Sequence, residues 1–407
     1  MRISVTRGQI YWRRKTMKIK GLEFKADFKP KAGYRVSNKE INNRMAYRGN
    51  QIWANPTLGL TEKDLRDLED DEVLIKIGSC GVCGSDIHFL GQDADGYLRY
   101  TGHCSAGTIL GHEYSGEIVK TGKAVDCVNV GDLVVADTMD WCGECGPCRM
   151  GLFNQCTNLE ELGFTLDGGF ANYMIAKSKY CCKVNKFVDV YGSKEKALDV
   201  AALLEPISIA YYGLFETGDG INPGDYVTVT GAGPVGLAAI GLAKTAGASK
   251  VIAIDLVDEK LDLAKEMGAD VCINSGRQPA EDIIMEETDG EGVNVHVEAT
   301  GAFKFTFPVI QNTLTPGGQV VIMGMGPAPA PLDPGVFQKL QCRIYANQGG
   351  AGMKSFTSLI RLISARKFDP SAMIAGKYDL DHSLDAIEKA ASGIPGKILV
   401  NPNLNIA

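Results

Sequence analysis

Tyr226-Val-Thr-Val-Thr-Gly-Ala-Gly-Pro-Val-Gly236 decides the fold. Its first five residues, rich in β-branched side chains, read as a strand, and glycines at 231, 233 and 236 follow at once. From Pro234 to Ala246 the apolar pattern becomes helical. A G-x-G-x-x-G set between a strand and a helix is a dinucleotide loop. Gly231 is expected to make the tight turn, Gly233 to let backbone approach a pyrophosphate, and Gly236 to let helix and strand close up. Pro234 and Val235 open the helix, whose free N–H groups and positive end favour phosphate. Asp255 ends the next strand, 24 positions after Gly231. A carboxylate there accepts ribose hydroxyls and repels a 2′-phosphate, so NAD is favoured over NADP.

Downstream, strand-like runs at 250–255, 271–274, 293–300, 319–325 and 343–347 alternate with helical stretches such as 259–267. This alternation predicts a doubly wound parallel sheet with helices on both faces. Thr300, in Glu298-Ala-Thr-Gly301, and Gly324, in Met323-Gly-Met325, fall where strands end. Open α/β sheets bind ligands at that edge, so these residues are expected near the nicotinamide. The tail reads as helices at 356–367 and 384–391 and a strand at 397–400. Upstream, short β runs at 72–77, 116–119 and 132–136 give an α/β chain with a β-rich first half. Residues 38–58 show no clear period and read as an extended loop.

The 407 residues fit two domains, with a change of pattern near residue 200. A net charge of −7 argues against nucleic acid and anionic membranes as partners. No run of 18 apolar residues suggests a membrane span. Residues 1–16 are basic but lack the apolar core of a secretory signal, so they read as an upstream start before a fold beginning near Met17. Twelve cysteines without such a signal point to a reducing, cytoplasmic setting, where clustered thiols bind metal.

Cys142, Cys145, Cys148 and Cys156 give C-x2-C-x2-C-x7-C. Four thiolates on a short loop suit a closed structural zinc site. An iron–sulfur cluster is the rival, but its runs continue with x3 and then Cys-Pro, which is missing here. Cys83, His112 and Glu113 are donors of the kind a catalytic zinc uses. They stand in Cys83-Gly-Ser-Asp-Ile-His88 and Gly111-His-Glu113, which hold two of the chain's five histidines. Cys80 and Cys83 also form a C-x-x-C, which leaves a redox disulfide open.

These stretches, with Gly111-His-Glu-Tyr-Ser-Gly116, Leu204-Glu-Pro-Ile207 and the glycine loop, occur in one order. In this the chain resembles the zinc-containing medium-chain dehydrogenases, which include alcohol, sorbitol and threonine dehydrogenases. The resemblance covers nearly all of residues 17–407. It implies a GroES-like catalytic domain at 17–200 with a zinc lobe near 140–160, and a Rossmann NAD domain at 201–347. Residues 348–407 would return to the first domain. It implies that Cys83 and His112 hold a catalytic zinc, that Glu113 enters or leaves the shell, and that Glu205 reaches the metal directly or through water. Asp86 would orient His112, Ser85 would hydrogen-bond the alcohol oxygen, and His88 would pass its proton to solvent.

The expected reaction is hydride transfer from a secondary, polyol-like alcohol to NAD, giving a ketone. Threonine- and aldehyde-type dehydrogenases on the same scaffold remain alternatives, as does a non-catalytic zinc- and NAD-sensing protein. Residues 38–58 and 91–108 resemble the longer segments of members acting on cyclic polyols and their ketones, the scyllo-inosose type. Asp93, Asp95, Tyr97, Tyr100 and His103 there could line a polar pocket or form a solvated loop. The resemblance also implies a homo-oligomer, dimer or tetramer, joined through an edge strand near 343–347.

Overall fold

The computed structural model describes residues 3–6, 9–12, 17–326, 329–350 and 354–404. The expectation for residues 1–16 lies outside the described residues, apart from an antiparallel pair formed by Ile3–Thr6 and Gln9–Trp12.

The N-terminal half begins with β1 (Lys18–Phe28) and β2 (Trp53–Asp64), an antiparallel pair. A seven-stranded sheet follows. It contains β3 (Glu72–Gly81), β4 (Glu113–Thr121), β5 (Leu133–Ala136), β6 (Tyr173–Lys177) and β7 (Cys181–Lys183).

The second sheet contains β8 (Tyr226–Thr230), β9 (Lys250–Asp255), β10 (Val271–Asn274), β11 (Val293–Glu298), β12 (Leu314–Ile322) and β13 (Arg343–Ala346). All five neighbouring pairs are parallel, in the order β10-β9-β8-β11-β12-β13. The order reverses beside β8, and such a switch point opens a crevice at the strand C-termini. The strands are apolar because helices cover both faces. Val227, Val229, Val251 and Val297 are fully buried.

The chain then returns to the first sheet. β14 (Ile374–Tyr378) pairs with β15 (Lys397–Val400), and β15 pairs antiparallel with β3. Residues more than 300 positions apart, Leu399 and Gly81, are thereby neighbours.

Residues 38–58 are not the extended loop that their lack of period suggested. Ser37 and Glu40 form a reciprocal capping box for helix α1 (Asn38–Asn43). A second short helix (Gly49–Ile52) leads into β2. Pro56 disguises that strand, but it falls in the register shift between Ala54 and Thr57, where a missing N–H is tolerated. Residue 200, near which the pattern was expected to change, lies within a helical run. Helix α2 (Gly84–Ile87) lies far upstream, but α3 (Lys194–Ala202), α4 (Leu204–Tyr212) and a π-helical turn (Gly213–Thr217) run on across the boundary. This run is long and apolar enough to cross a bilayer, yet 72% of its window is buried inside the protein, as a core helix must be.

Candidate active site

The zinc lobe is the simpler of two donor clusters. Cys142, Cys145, Cys148 and Cys156 bring their sulfurs within 4.8 Å of one another. Cys156 Sγ lies 3.6 Å from Cys142 Sγ and 3.9 Å from Cys145 Sγ. A tetrahedron with zinc–sulfur bonds of about 2.3 Å has edges of about 3.8 Å, so the four thiols fit one zinc. Backbone N–H groups of Cys148 and Thr157 draw the Cys145 thiol down to about 6. A thiolate held this way is a ready ligand. Replacing Cys145 by Ser should cost one zinc per chain and lower Tm, because this metal supplies folding energy. Zinc analysis beside a melting curve checks it, and unchanged zinc content would remove Cys145 from the site.

The second cluster is Cys83, His112 and Glu113, whose donor atoms are also within 4.8 Å of one another. β3 ends just before Cys83, the N-cap of α2, and Glu113 starts β4, directly across the ladder from Gly81. A Cβ on Gly81 would stand 2.1 Å from Glu113 Oε2, so only glycine leaves that oxygen its place. Glu113 Oε2, His112 Nδ1 and Asp86 Oδ1 are buried with no hydrogen-bond partner. Orphaned donors and acceptors of this kind call for a ligand.

Around the trio, Asp86 caps α2 by accepting the Cys83 N–H at 2.8 Å, while its other oxygen faces His112 Nδ1 at 3.8 Å. Ser85 Oγ stands 3.5 Å from His112 Nε2, and His88 is exposed at the end of α2. Glu205 begins α4, outside the close trio but facing His112 and Glu113. Burial pushes its carboxyl up to about 7, opposed by His112 and assisted by Glu113. Burial likewise lifts Asp86 to about 6. Burial alone would lower His112, but the charges of Cys83, Asp86 and Glu205 hold it well above its ordinary value. The Cys83, His112 and Glu113 donors, within 4.8 Å of one another, are a set that fits zinc.

Lys397, from β15, went unnoticed in the sequence. Its Nζ donates to Glu113 Oε1 at 2.6 Å and to the Val82 carbonyl at 3.0 Å. Both side chains of this ion pair are almost fully buried, at 3% and 0% exposure. Its only sequence signal was a lysine opening an otherwise apolar strand.

The glycine loop has the shape its motif demands. Gly231 adopts φ +98°, a Cβ on Gly236 would stand 1.7 Å from the Gly231 carbonyl, and Gly233 faces open space. Pro234 and Val235 form the first turn of α5 (Pro234–Ala246). Asp255 accepts the Ala232 N–H at 2.8 Å, tying β9 to the loop. Glu298 accepts from the Thr300 hydroxyl and from Gly301 N–H, and the Gly324 N–H donates to the Glu298 carbonyl at 2.9 Å. A chain of contacts links the two halves. Asn347 reaches the Ile209 carbonyl in α4, Gly213 packs on Met323, and Gly350 packs on Ser208, one helical turn from Glu205. These contacts set the end of the second sheet, at Met323 and Asn347, against α4, whose first turn carries Glu205.

Two domains of this kind, with a closed four-thiol cluster and an open three-donor cluster, define a zinc-dependent dehydrogenase. Residues 69–186 match the alcohol dehydrogenase GroES-like domain, and residues 234–365 match the zinc-binding dehydrogenase domain. A scyllo-inosose 3-dehydrogenase from Thermotoga maritima is 34% identical over 360 residues, 85% of this chain and 90% of that protein. An L-threonine 3-dehydrogenase from Pyrococcus horikoshii is 32% identical over 84% of this chain and 94% of its own. A solved structure of a Thermotoga maritima protein superposes with a TM-score of 0.90 at 32% identity, covering 94% of this chain and 100% of that one. The chain belongs to the zinc-containing medium-chain alcohol dehydrogenase family. It is a zinc-dependent oxidoreductase of small-molecule alcohols, and a nicotinamide cofactor is typical of that family.

Proposed function

We propose that the protein oxidises a secondary alcohol of polyol type to a ketone with NAD, using Cys83, His112 and Glu113 around the catalytic zinc. The observation that carries this reading is the trio of donors within 4.8 Å of one another, with buried Glu113 Oε2 and His112 Nδ1 left without a hydrogen-bond partner. Zinc there supplies Lewis acidity that lowers the pKa of an alcohol hydroxyl, and nicotinamide supplies a hydride acceptor. Ser85 sits to take the alcohol proton, and exposed His88 passes it to water. Asp86 sets the orientation of the His112 ring, and Glu205 adds charge from the start of α4. Thr300 and Gly324 position the nicotinamide, so transfer becomes a matter of alignment. NADH absorbance with a panel of polyols tests the reading. No NADH from any polyol after zinc reconstitution would favour the sensor alternative.

NAD rather than NADP follows from Asp255 at the end of β9. Asp255→Ser together with Leu256→Arg, at a site 68% exposed, should shift the NADP/NAD ratio of kcat/KM upward by about tenfold or more. An unchanged ratio would remove Asp255 from that role. The proposal includes a cytoplasmic homo-oligomer without nucleic-acid or membrane partners. Free cysteines, a charge of −7 and the open edge of β13, where Ile344 is 38% exposed, support it.

A further inference from the structure

Two segments have no part in the chemistry above: the α1–β2 excursion and residues 91–108. The structure joins them. Ala46 bridges to Cys104, Leu98 donates to the Trp53 carbonyl, and Gly49 donates to the Gly102 carbonyl. Of the residues in 91–108 that could have lined a polar pocket, Asp93 is tied to Lys31 at 2.6 Å and Lys31 lies over the Tyr97 ring. Asp95 is exposed, and His103 lies against Tyr47.

Tyr100 belongs instead to a column of rings that ends on the metal trio. Phe164 lies against the His112 ring, with centroids 4.6 Å apart and planes 34° from parallel. Tyr100 stacks on Phe164 at 5.3 Å and 16°, and Phe89 stacks on Tyr100 at 4.7 Å and 27°. Phe24 meets Phe89 edge-on at 5.0 Å, and Trp53, at the start of β2, meets Phe24 at 6.4 Å. These are separations at which aromatic rings attract one another. Phe24, Trp53 and Phe89 are almost wholly buried, so the far end of the column is rooted in the core.

The turn that carries Phe164 is also fixed to His112 through the backbone. Gly169 N–H donates to the Gly111 carbonyl at 2.7 Å. Gly163, at φ +88°, comes so near that a Cβ would stand 2.7 Å from the same carbonyl. On its other side the Phe164 carbonyl accepts the Ser105 N–H at 2.9 Å, which ties the turn to residues 91–108. Hydrogen bonding does less for the ring. His112 Nδ1 has no hydrogen-bond partner, and Asp86 Oδ1 stands 3.8 Å from it, beyond bonding range. Asp86 attracts an edge of the imidazole from that distance, while Phe164 blocks a face. Turning the ring about its Cβ–Cγ bond needs that face clear, and a packed neighbour does not give way.

We propose that Phe164, braced by Tyr100 and the excursion, is a positioning residue for the metal: it holds the His112 ring in the plane in which its nitrogen meets the ion. The inference rests on the reading of the trio as a metal site. A ligand ring that is free to turn releases its metal more often, and losing the outer support of a ligand costs roughly 10–100-fold in affinity. The α1–β2 excursion thereby acts on the metal from a distance, through Trp53 and Phe24 at the root of the column.

The test uses the full chain with cobalt in place of the ion at the trio and zinc kept in the four-thiol lobe, one of each per chain. Phe164→Leu should shift the visible cobalt bands and speed cobalt loss to a chelator by about tenfold or more, while zinc leaves the lobe at the wild-type rate. Phe164→Tyr, which keeps the ring, should retain the wild-type bands. Tyr100→Leu should act in the same direction less strongly, and Tyr100→Phe should leave both readouts unchanged. A Phe164→Leu protein with wild-type bands and wild-type cobalt loss overturns the proposal, even if its Tm falls. Equal acceleration of metal loss at both sites also overturns it and makes Phe164 a plain core residue. His112→Ala probes the underlying reading separately. Unchanged cobalt bands in that variant would show that the trio is not the metal site, and the positioning role would fall with it.

Discussion

Cys83→Ser is expected to lower kcat/KM by about a thousandfold or more and to reduce bound zinc from two ions to one. The three donors lie within 4.8 Å of one another, so removing the thiolate leaves His112 and Glu113 to hold the metal. Lewis-acid activation of the substrate oxygen contributes several kcal/mol, and each 1.36 kcal/mol is about tenfold in rate. The fold should survive, because Cys83 lies just past the end of β3 as the N-cap of α2 and is not among the buried core residues. Circular dichroism and zinc content, measured beside rates, separate this outcome from misfolding. Full activity with two zinc ions would exclude Cys83 as a ligand.

Lys397→Met should have the largest effect on stability. Lys397 and Glu113 are a buried pair, and truncating the lysine strips the buried Glu113 carboxylate of its ion-pair partner. Such a change costs about 3–5 kcal/mol. The ion pair also joins β15 to the metal site, so Lys397→Met should weaken zinc retention as well. Adding Glu113→Gln to Lys397→Met should restore much of the stability without restoring activity, since the orphaned charge is then gone. A Lys397→Met protein that melts like the wild type would show that the pair contributes nothing measurable.

Much of the cofactor half was legible along the chain. Tyr226–Thr230, Pro234–Ala246, Lys250–Asp255 and Val271–Asn274 have the bounds their periodicity indicated. In these elements local pattern and tertiary burial agree, as β-branched runs covered on both faces must. The excursion was harder. Ser37-Asn-Lys-Glu40 carried a capping signature, but α1 is six residues long, too short for a helical period to show. β2 concealed itself behind Pro56 and a register shift opposite Lys25 and Asp27.

The same division holds at the candidate site. Gly231, Gly233, Gly236 and the four cysteines act within one turn or loop, and their spacing encodes their geometry. The sequence alone therefore determined the dinucleotide turn, the thiol lobe and the alternating sheet. The tertiary structure decided what stands around the metal. It brought Lys397 onto Glu113 across 284 positions and packed Phe164 on the His112 ring. Such contacts depend on strand order and on the chain's return through β15. Both are settled by burying surfaces distant in sequence, which no local pattern records.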